Sequence, residues 1–218
     1  MSPAPLSQTA EDYLKEIHRL ESERGRATTS ALAERVGVSP PSATAMLKKL
    51  AALRLVEHEP YKGVTLTDTG RKAAVEVVRH HRLLEQYLSE TLGMSIDEVH
   101  AEADRLEHAL SEELEARIDE SLGFPTHDPH GDPIPDADLN LQADALRALA
   151  DLEPGERSVV KRVPDDTDLL RYLASLGLLP GASVVLVRAA PFGGPVTVAA
   201  GGLEHAISLE LAGQIGVS

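Results

Sequence analysis

Residues 29–66, TSALAERVGVSPPSATAMLKKLAALRLVEHEPYKGVTL, decide the fold of the amino-terminal part of this chain. Their apolar spacing predicts a helix over 29–36, which is followed by a tight turn that contains a glycine. Ser39 then caps a second helix whose first position is Pro40, because a serine hydroxyl satisfies free N–H groups and proline has none to satisfy there. This order predicts a helix–turn–helix that continues to about Leu53.

Segments on either side complete this unit. Apolar residues repeat with helical spacing over 8–23, ahead of the helix–turn–helix. Behind it, segments 55–59 and 64–66 have the composition of two short strands around a turn at 60–63. Three helices and a β-hairpin in this order are typical of a winged helix.

The helix that begins at Pro40 is the element expected to read DNA. Its cap and first turns carry short side chains that can approach base edges closely: Ser39, Pro41, Ser42, Thr44 and Ala45. Lys48, Lys49 and, in the hairpin, Lys62 can reach phosphates. Winged helices also serve as protein–protein interfaces, but the local charge favours double-stranded DNA.

Charge is divided unevenly along the chain. The net charge at pH 7 is −14, yet residues 1–82 carry 13 basic and 10 acidic side chains, whereas residues 83–218 carry 8 and 25. A small DNA-contacting part attached to an acidic body fits this split.

Cysteine is absent, which excludes disulfides and thiolate metal sites. Since neither a signal sequence nor a long apolar run is visible, we expect a cytoplasmic protein with no membrane span.

Histidines and carboxylates recur at ligand spacing in the middle of the chain. One helix is predicted from Ser95 to about Leu122, and it carries four such side chains at i, i+4, i+7 and i+8: His100, Asp104, Glu107 and His108. The preceding helix, over about 67–92, adds His81 and Glu85 at i, i+4. Together these side chains indicate a divalent-metal surface. The alternatives are a core histidine paired with a carboxylate and a solvated acidic face.

The carboxy-terminal third differs from the rest of the chain. A proline- and aspartate-rich segment over 124–141, in which His127 and His130 are interpreted as loop residues, precedes it. A short helix is predicted around 143–149 and another over 168–178. Strands are predicted near 159–163, 184–188 and 196–199. This pattern indicates a small β-barrel-like domain.

These segments resemble the diphtheria toxin repressor family, which includes the manganese transport regulators. The resemblance is carried by TAEDYL at 9–14, by residues 39–56, by HRLLE at 81–85, by DPHGDPIP at 128–135 and above all by VHAEADRLEH at 99–108. It implies a mostly α protein with small β regions in three parts. These are a winged helix-turn-helix DNA-binding domain over 1–74, a helical metal-binding and dimerisation domain over 75–141 and an SH3-like β-barrel domain over 142–218.

The resemblance also implies two metal sites and a homodimer. The primary site would use Asp12, Asp104, Glu107 and His108. The ancillary site would use His81, Glu85 and His100, with a third-domain carboxylate that we assign to Asp166 while Asp165 and Asp168 stay open.

Metal choice follows from two of these positions. Iron-type members have Met and Cys where this chain has Asp12 and Asp104, and hard carboxylates favour an oxygen-preferring ion. Mn²⁺ is therefore expected, with Fe²⁺ as the alternative; Co²⁺, Zn²⁺ or Cd²⁺ should substitute in vitro. Against this, manganese-type members carry a Glu where this chain has Lys15.

The expected function is a manganese-responsive repressor of metal-uptake genes that binds a pseudo-palindromic operator. An iron-responsive repressor of the same family is the first alternative. A metallohydrolase that uses the His/carboxylate cluster is an alternative of another class, although no catalytic motif is visible. A regulator that answers a small organic ligand and a metal store also stay open.

Overall fold

The computed structural model describes residues 6–59, 63–142 and 144–218. The chain divides into two compact units. The first comprises the residues up to 81 together with 107–110 and 135–141, and the second comprises 82–106, 111–134 and 142–218. Helices dominate and the strands are short, which confirms the predicted mostly α fold with small β regions.

The first unit contains the winged helix. Its elements are α1 (Gln8–Arg24), α2 (Thr29–Val36), α3 (Pro40–Ala52), β1 (Val56–Glu59) and β2 (Gly63–Leu66), in which β1 and β2 pair antiparallel. The predicted cap of α3 is present, since Ser39 Oγ accepts from Ser42 N at 3.4 Å. Gly37, with φ +70°, ends α2 in the left-handed conformation that the tight turn requires. The buried side chains of this helix–turn–helix include Leu32, Leu47 and Leu50.

The hairpin is fastened to the helices by backbone and carboxylate contacts. Val64 N donates to Ala27 O at 2.9 Å, and Leu66 N donates to Glu21 Oε1 at 2.9 Å. Gly63 lies so close that a Cβ atom there would be 2.6 Å from Ala27 O. Because these contacts fix the second strand, the hairpin is held against α1 and the α1–α2 turn.

Three further α-helices follow: α4 (Asp68–Leu92), α5 (Val99–Leu106) and α6 (Glu112–Ser121). The predicted single helix from Ser95 to Leu122 is wrong, because residues Glu107–Ala109 form a 3-10 turn between α5 and α6. A second start signal explains the break: Ser111 Oγ accepts from Leu114 N at 3.3 Å and caps α6. Among the described residues, no helix has the length and apolar character needed to cross a membrane.

The carboxy-terminal domain is built on an antiparallel sheet. Its elements are β3 (Arg147–Ala148), β4 (Arg157–Arg162), α7 (Thr167–Ser175), β5 (Ser183–Ala189), β6 (Val196–Ala200), β7 (Leu203–Ile207), α8 (Leu209–Gln214) and β8 (Gly216–Val217). The strand order is β3-β8-β4-β5-β6-β7. The helix predicted around 143–149 is wrong: residue 143 lies outside the described residues, and Arg147 and Ala148 pair with β8 instead. Pairing with a strand 70 residues away overrides a weak local preference.

Candidate metal centres

The first centre joins α1 to the 3-10 turn. Asp12, Glu107 and His108 each offer a ligand atom within 4.8 Å of the others. His108 Nε2 lies 2.8 Å from Asp12 Oδ1 and 3.4 Å from Glu107 Oε1. Two carboxylates and one imidazole therefore converge on one point, as a site for a divalent cation requires.

Glu107 is buried in this centre and touches polar groups through both of its oxygens. Its Oε2 lies 2.6 Å from His81 Nδ1, and its Oε1 accepts from Lys15 Nζ at 2.7 Å. The second ring nitrogen of His108, Nδ1, lies 2.7 Å from Glu11 Oε2. His81, Lys15 and Glu11 thus fix the orientation of the two ligands that the turn supplies.

A second centre lies within the second unit. His100 Nδ1 lies 3.2 Å from Glu85 Oε1 and 2.7 Å from Asp165 Oδ2. Glu85 belongs to α4, His100 to α5, and Asp165 to the segment between β4 and α7. Two successive helices and a segment much further along the chain therefore supply one group of ligand atoms, all within 4.8 Å of one another.

Two residues of the proline-rich segment extend this second centre. Glu85, Asp128 and His130 also offer atoms within 4.8 Å of one another, and all three are buried. His130 Nδ1 lies 3.5 Å from Glu85 Oε2, and His130 Nε2 lies 3.6 Å from Asp165 Oδ1. Within the described part of the chain, His130 Nδ1 has no hydrogen-bond partner although the ring is fully buried. A buried nitrogen that makes no hydrogen bond and lies next to carboxylates fits a metal ligand.

A tight loop delivers Asp128 and His130 to this position. Asp128 Oδ1 accepts from His130 N and Asp132 N, both at 2.9 Å, which closes the turn. Val163 N donates to His130 O at 2.9 Å, so the loop is attached to the residue after β4. Gly131, with φ +89°, comes so close to β4 that a Cβ atom would be 1.8 Å from Lys161 O. The loop can therefore hold its ligands only with glycine at this position.

Arginines of α4 hold the remainder of the proline-rich segment. Arg82 Nη1 donates to Pro133 O at 2.6 Å in the second unit. The same guanidinium lies 3.7 Å from Asp128 Oδ2, which places a positive charge beside that carboxylate. In the first unit, Arg79 Nη1 donates to Pro135 O at 2.6 Å. The loop thus takes its shape from charged side chains as well as from its prolines.

The carboxylates of the second centre shift the protonation of its ligands. Hydrogen bonds that His100 donates to Asp165 and then to Glu85 raise the pKa of this histidine to about 10. Burial lowers the pKa of His130, but Glu85, Asp165 and Asp128 outweigh it and raise this pKa to about 9. Burial and then repulsion by Glu85 raise the pKa of Asp128 to about 7. Without a bound cation the centre therefore keeps protons that a cation would displace.

The predicted ligands are only partly in their predicted places. Asp12, Glu107 and His108 come together, as do Glu85 and His100. Glu107 and His108 lie on a 3-10 turn and not on one stripe of a long helix. Asp104 is exposed, with Oδ2 3.5 Å from His100 Nε2 on the same helix.

The third-domain ligand needs correction. Asp166, the predicted residue, caps α7, since its Oδ1 accepts from Leu169 N at 2.9 Å. Asp165 faces His100 instead. Asp166 has an extended backbone, and neighbouring side chains in extended backbone point to opposite sides. The interpretation of His130 as a loop residue also missed its burial. Only the close spacing of Asp128 and His130 within the DPHGD segment could have indicated them.

The predicted DNA-reading surface lies on α3. Ser39, Pro41, Ser42, Ala45, Lys48 and Lys49 are exposed. Thr44 is half-buried and its hydroxyl donates to Pro40 O at 2.8 Å, so this donor is used within the helix. Ser39 and Ser42 hydroxyls lie 2.9 Å apart. Lys62, the predicted phosphate contact of the hairpin, lies outside the described residues.

Family models match three successive parts of the chain. Residues 5–64 match the iron dependent repressor N-terminal DNA binding domain, and residues 67–136 match the iron dependent repressor metal binding and dimerisation domain. Residues 147–218 match the FeoA domain. The three-part order of DNA-binding, dimerisation and SH3-like domains is thereby confirmed.

Relatives cover the chain almost completely. The iron-dependent repressor IdeR of Mycobacterium leprae is 33% identical, with 97% of this chain and 97% of the relative covered. The chain belongs to the diphtheria toxin repressor family. Another member, the diphtheria toxin repressor of Corynebacterium efficiens, is 33% identical over 84% of each chain.

Solved structures of this family include manganese regulators. A manganese-dependent transcriptional repressor in complex with manganese is 43% identical, has a TM-score of 0.87, and is matched over 95% of this chain and 98% of its own. The manganese regulator SloR is 31% identical and has a TM-score of 0.79; the match covers 100% of this chain and 99% of SloR. The chain is thus a metal-dependent transcriptional repressor of the diphtheria toxin repressor family. It is not an enzyme, so the metallohydrolase alternative is wrong.

Proposed function

We propose that this protein is a cytoplasmic, manganese-responsive repressor of metal-uptake genes. It binds a pseudo-palindromic double-stranded operator as a homodimer when Mn²⁺ is bound. The single observation that carries the proposal is the donor set of the first centre, in which Asp12, Glu107 and His108 converge without any sulfur ligand.

The choice of Mn²⁺ over Fe²⁺ rests on ligand chemistry. Carboxylate oxygens suit Mn²⁺, whereas a thiolate or thioether favours softer ions. Asp12 and Asp104 stand where iron-type members have sulfur side chains, and Asp104 is proposed as the fourth ligand of this centre. The solved relatives named for manganese support this choice, while the sequence relatives named for iron make Fe²⁺ the alternative.

The first centre acts on the DNA-binding domain through α1. The carboxylates of Asp12 and Glu107 lie on either side of His108 Nε2, at 2.8 and 3.4 Å. A divalent cation, when bound, supplies the positive charge that draws Asp12 and the Glu107–His108 turn together. Because α1 packs in the core of the winged helix, fixing Asp12 fixes the orientation of α3. In a twofold dimer, this orientation sets the spacing of the two DNA-reading helices.

The second centre is proposed to use Glu85, His100, Asp128, His130 and Asp165. His81 is proposed as a further ligand because the family resemblance implies it. The role of this centre is to tie α4, α5, the 128–132 loop and the carboxy-terminal domain together. Co²⁺, Zn²⁺ or Cd²⁺ should also bind both centres in vitro, since affinity alone does not select Mn²⁺. Domain boundaries near 74 and 141 are proposed with this assignment.

A metal titration of DNA binding tests the proposal. A duplex selected from a random library in the presence of Mn²⁺ serves as the fluorescent probe for chelator-treated protein. Mn²⁺ should raise DNA affinity at lower free concentration than Fe²⁺, in anaerobic buffer at equal ionic strength. Equal DNA affinity with and without cations overturns the proposal, and activation by Fe²⁺ at the lower concentration favours the alternative.

Asp12→Asn is the decisive variant. Its amide keeps the shape of the carboxylate but loses the charge, so Mn²⁺ affinity should fall by about ten- to a hundredfold. DNA affinity at limiting Mn²⁺ should then equal that of the chelated wild type. Glu76→Gln removes an exposed carboxylate of α4 and should change neither measurement.

A further inference from the structure

The Lys15 ammonium lies in the first centre and contacts an oxygen of one proposed ligand. The ammonium donates to Glu107 Oε1 at 2.7 Å, and this oxygen also faces His108 Nε2 at 3.4 Å. The lysine side chain is only 15% exposed and the Glu107 carboxylate is 0% exposed. An internal cation is therefore bound to an oxygen that the proposed ion must also use.

Burial makes this contact energetically important. A carboxylate removed from water needs a positive partner or a proton, since its desolvation is costly. Lys15 supplies a full positive charge to Glu107 within the same unit, one turn along α1 from Asp12. The metal-free form of the protein is therefore stabilised by a contact that the metal-bound form must weaken.

We infer that Lys15 is a tethered competitor of the activating cation and sets the concentration at which the first centre fills. This inference rests on the proposed function and deepens it by naming a residue that tunes the response. A divalent ion must displace the ammonium from Glu107 Oε1 and must also approach its positive charge. Only an ion that binds strongly to Asp12, Glu107 and His108 together overcomes both costs.

Three substitutions of Lys15 separate charge from packing. Lys15→Met approximately keeps the length of the side chain and removes its charge, so Mn²⁺ affinity should rise by about ten- to a hundredfold. Lys15→Gln can still donate a neutral hydrogen bond to Glu107 and should lie between Met and the wild type. Lys15→Arg retains the charge and should stay within about threefold of the wild type.

Isothermal titration calorimetry with Mn²⁺ alone gives these affinities without DNA. The melting temperature of the chelated protein is a second readout, because loss of the Lys15–Glu107 pair should lower it for Lys15→Met. The gain in melting temperature on adding Mn²⁺ should be larger for Lys15→Met than for the wild type. Lys72→Met, which removes an exposed lysine of α4, is the matched control and should change none of these values.

The outcomes distinguish this inference from the proposed function. Wild-type protein that binds no Mn²⁺ by calorimetry overturns the proposed function. Wild-type protein that binds Mn²⁺ as tightly as Lys15→Met overturns only the competition. Weaker binding by Lys15→Met also overturns it, since Lys15 would then assist the ligands. If Lys15→Met does not fold without metal, the comparison of Lys15→Gln with Lys15→Arg decides in the same way.

Discussion

Gly131→Ala tests whether the close approach of the 128–132 loop to β4 holds the second centre together. The added Cβ atom would lie 1.8 Å from Lys161 O, and such contacts are essentially never shorter than 3.0 Å. The loop must therefore move by about 1.2 Å or more away from β4. A displacement of this size separates His130 Nε2 from Asp165 Oδ1, which lie 3.6 Å apart.

The expected loss of stability follows from the hydrogen bonds of the loop. Those from His130 N and Asp132 N to Asp128 Oδ1, and from Val163 N to His130 O, are each 2.9 Å long. At about 0.5–1.5 kcal/mol for each bond, disruption of all three should lower the free energy of unfolding by about 1.5–4.5 kcal/mol. Positive φ adds about 1 kcal/mol for alanine, independently of the contact.

Gly123→Ala is the matched control for this substitution. Gly123 has φ +71° and no atom within 4 Å of an added Cβ, so it carries the conformational cost without the collision. Urea unfolding of the chelated proteins, followed by far-ultraviolet circular dichroism, gives both free energies. Calorimetry with Mn²⁺ should show a loss of second-centre affinity of about tenfold or more for Gly131→Ala alone. Equal effects of the two substitutions would refute the role of the close approach.

Two further predictions concern DNA binding and pH. Lys48→Ala and Lys49→Ala each remove an exposed cation of α3. Each substitution should weaken binding to all DNA sequences and should reduce the slope of log affinity against log salt by about one for each lost phosphate contact. An unchanged slope would show that these lysines do not face DNA. The raised pKa of His100, about 10, predicts that its protonated form stabilises the chelated protein below pH about 6.5 and that this contribution disappears as pH rises through about 10. Urea midpoints measured from pH 6 to 10 should therefore fall, and His100→Gln should flatten the decline; a wild-type midpoint that rises over this range contradicts the assignment.

Local signals explain why the winged helix could be predicted from the sequence. Ser39 and Gly37 fix the turn between α2 and α3 through their own conformations and neighbours. The break between α5 and α6 has a local signal as well, the cap at Ser111, but the longer apolar pattern obscured it. Helix periodicity alone therefore placed Glu107 and His108 on the wrong kind of element while identifying them as candidate ligands.

The second centre depends on contacts that no local pattern encodes. Asp165 and Asp166 are adjacent acids, and the choice between them depends on which one caps α7. His130 becomes a candidate ligand only because Gly131 brings its loop against β4, about 30 residues further along the chain. Sequence spacing can suggest such residues, but tertiary packing decides which of them face one another.

Glu85 directs its two oxygens to different imidazoles, Oε1 toward His100 and Oε2 toward His130. One side chain consequently joins two halves of a centre that come from separate parts of the chain. Asp165 faces the same two imidazoles, Oδ2 toward His100 and Oδ1 toward His130, so loss of either carboxylate alone leaves both histidines paired. Silencing the second centre therefore requires the replacement of Glu85 and Asp165 together.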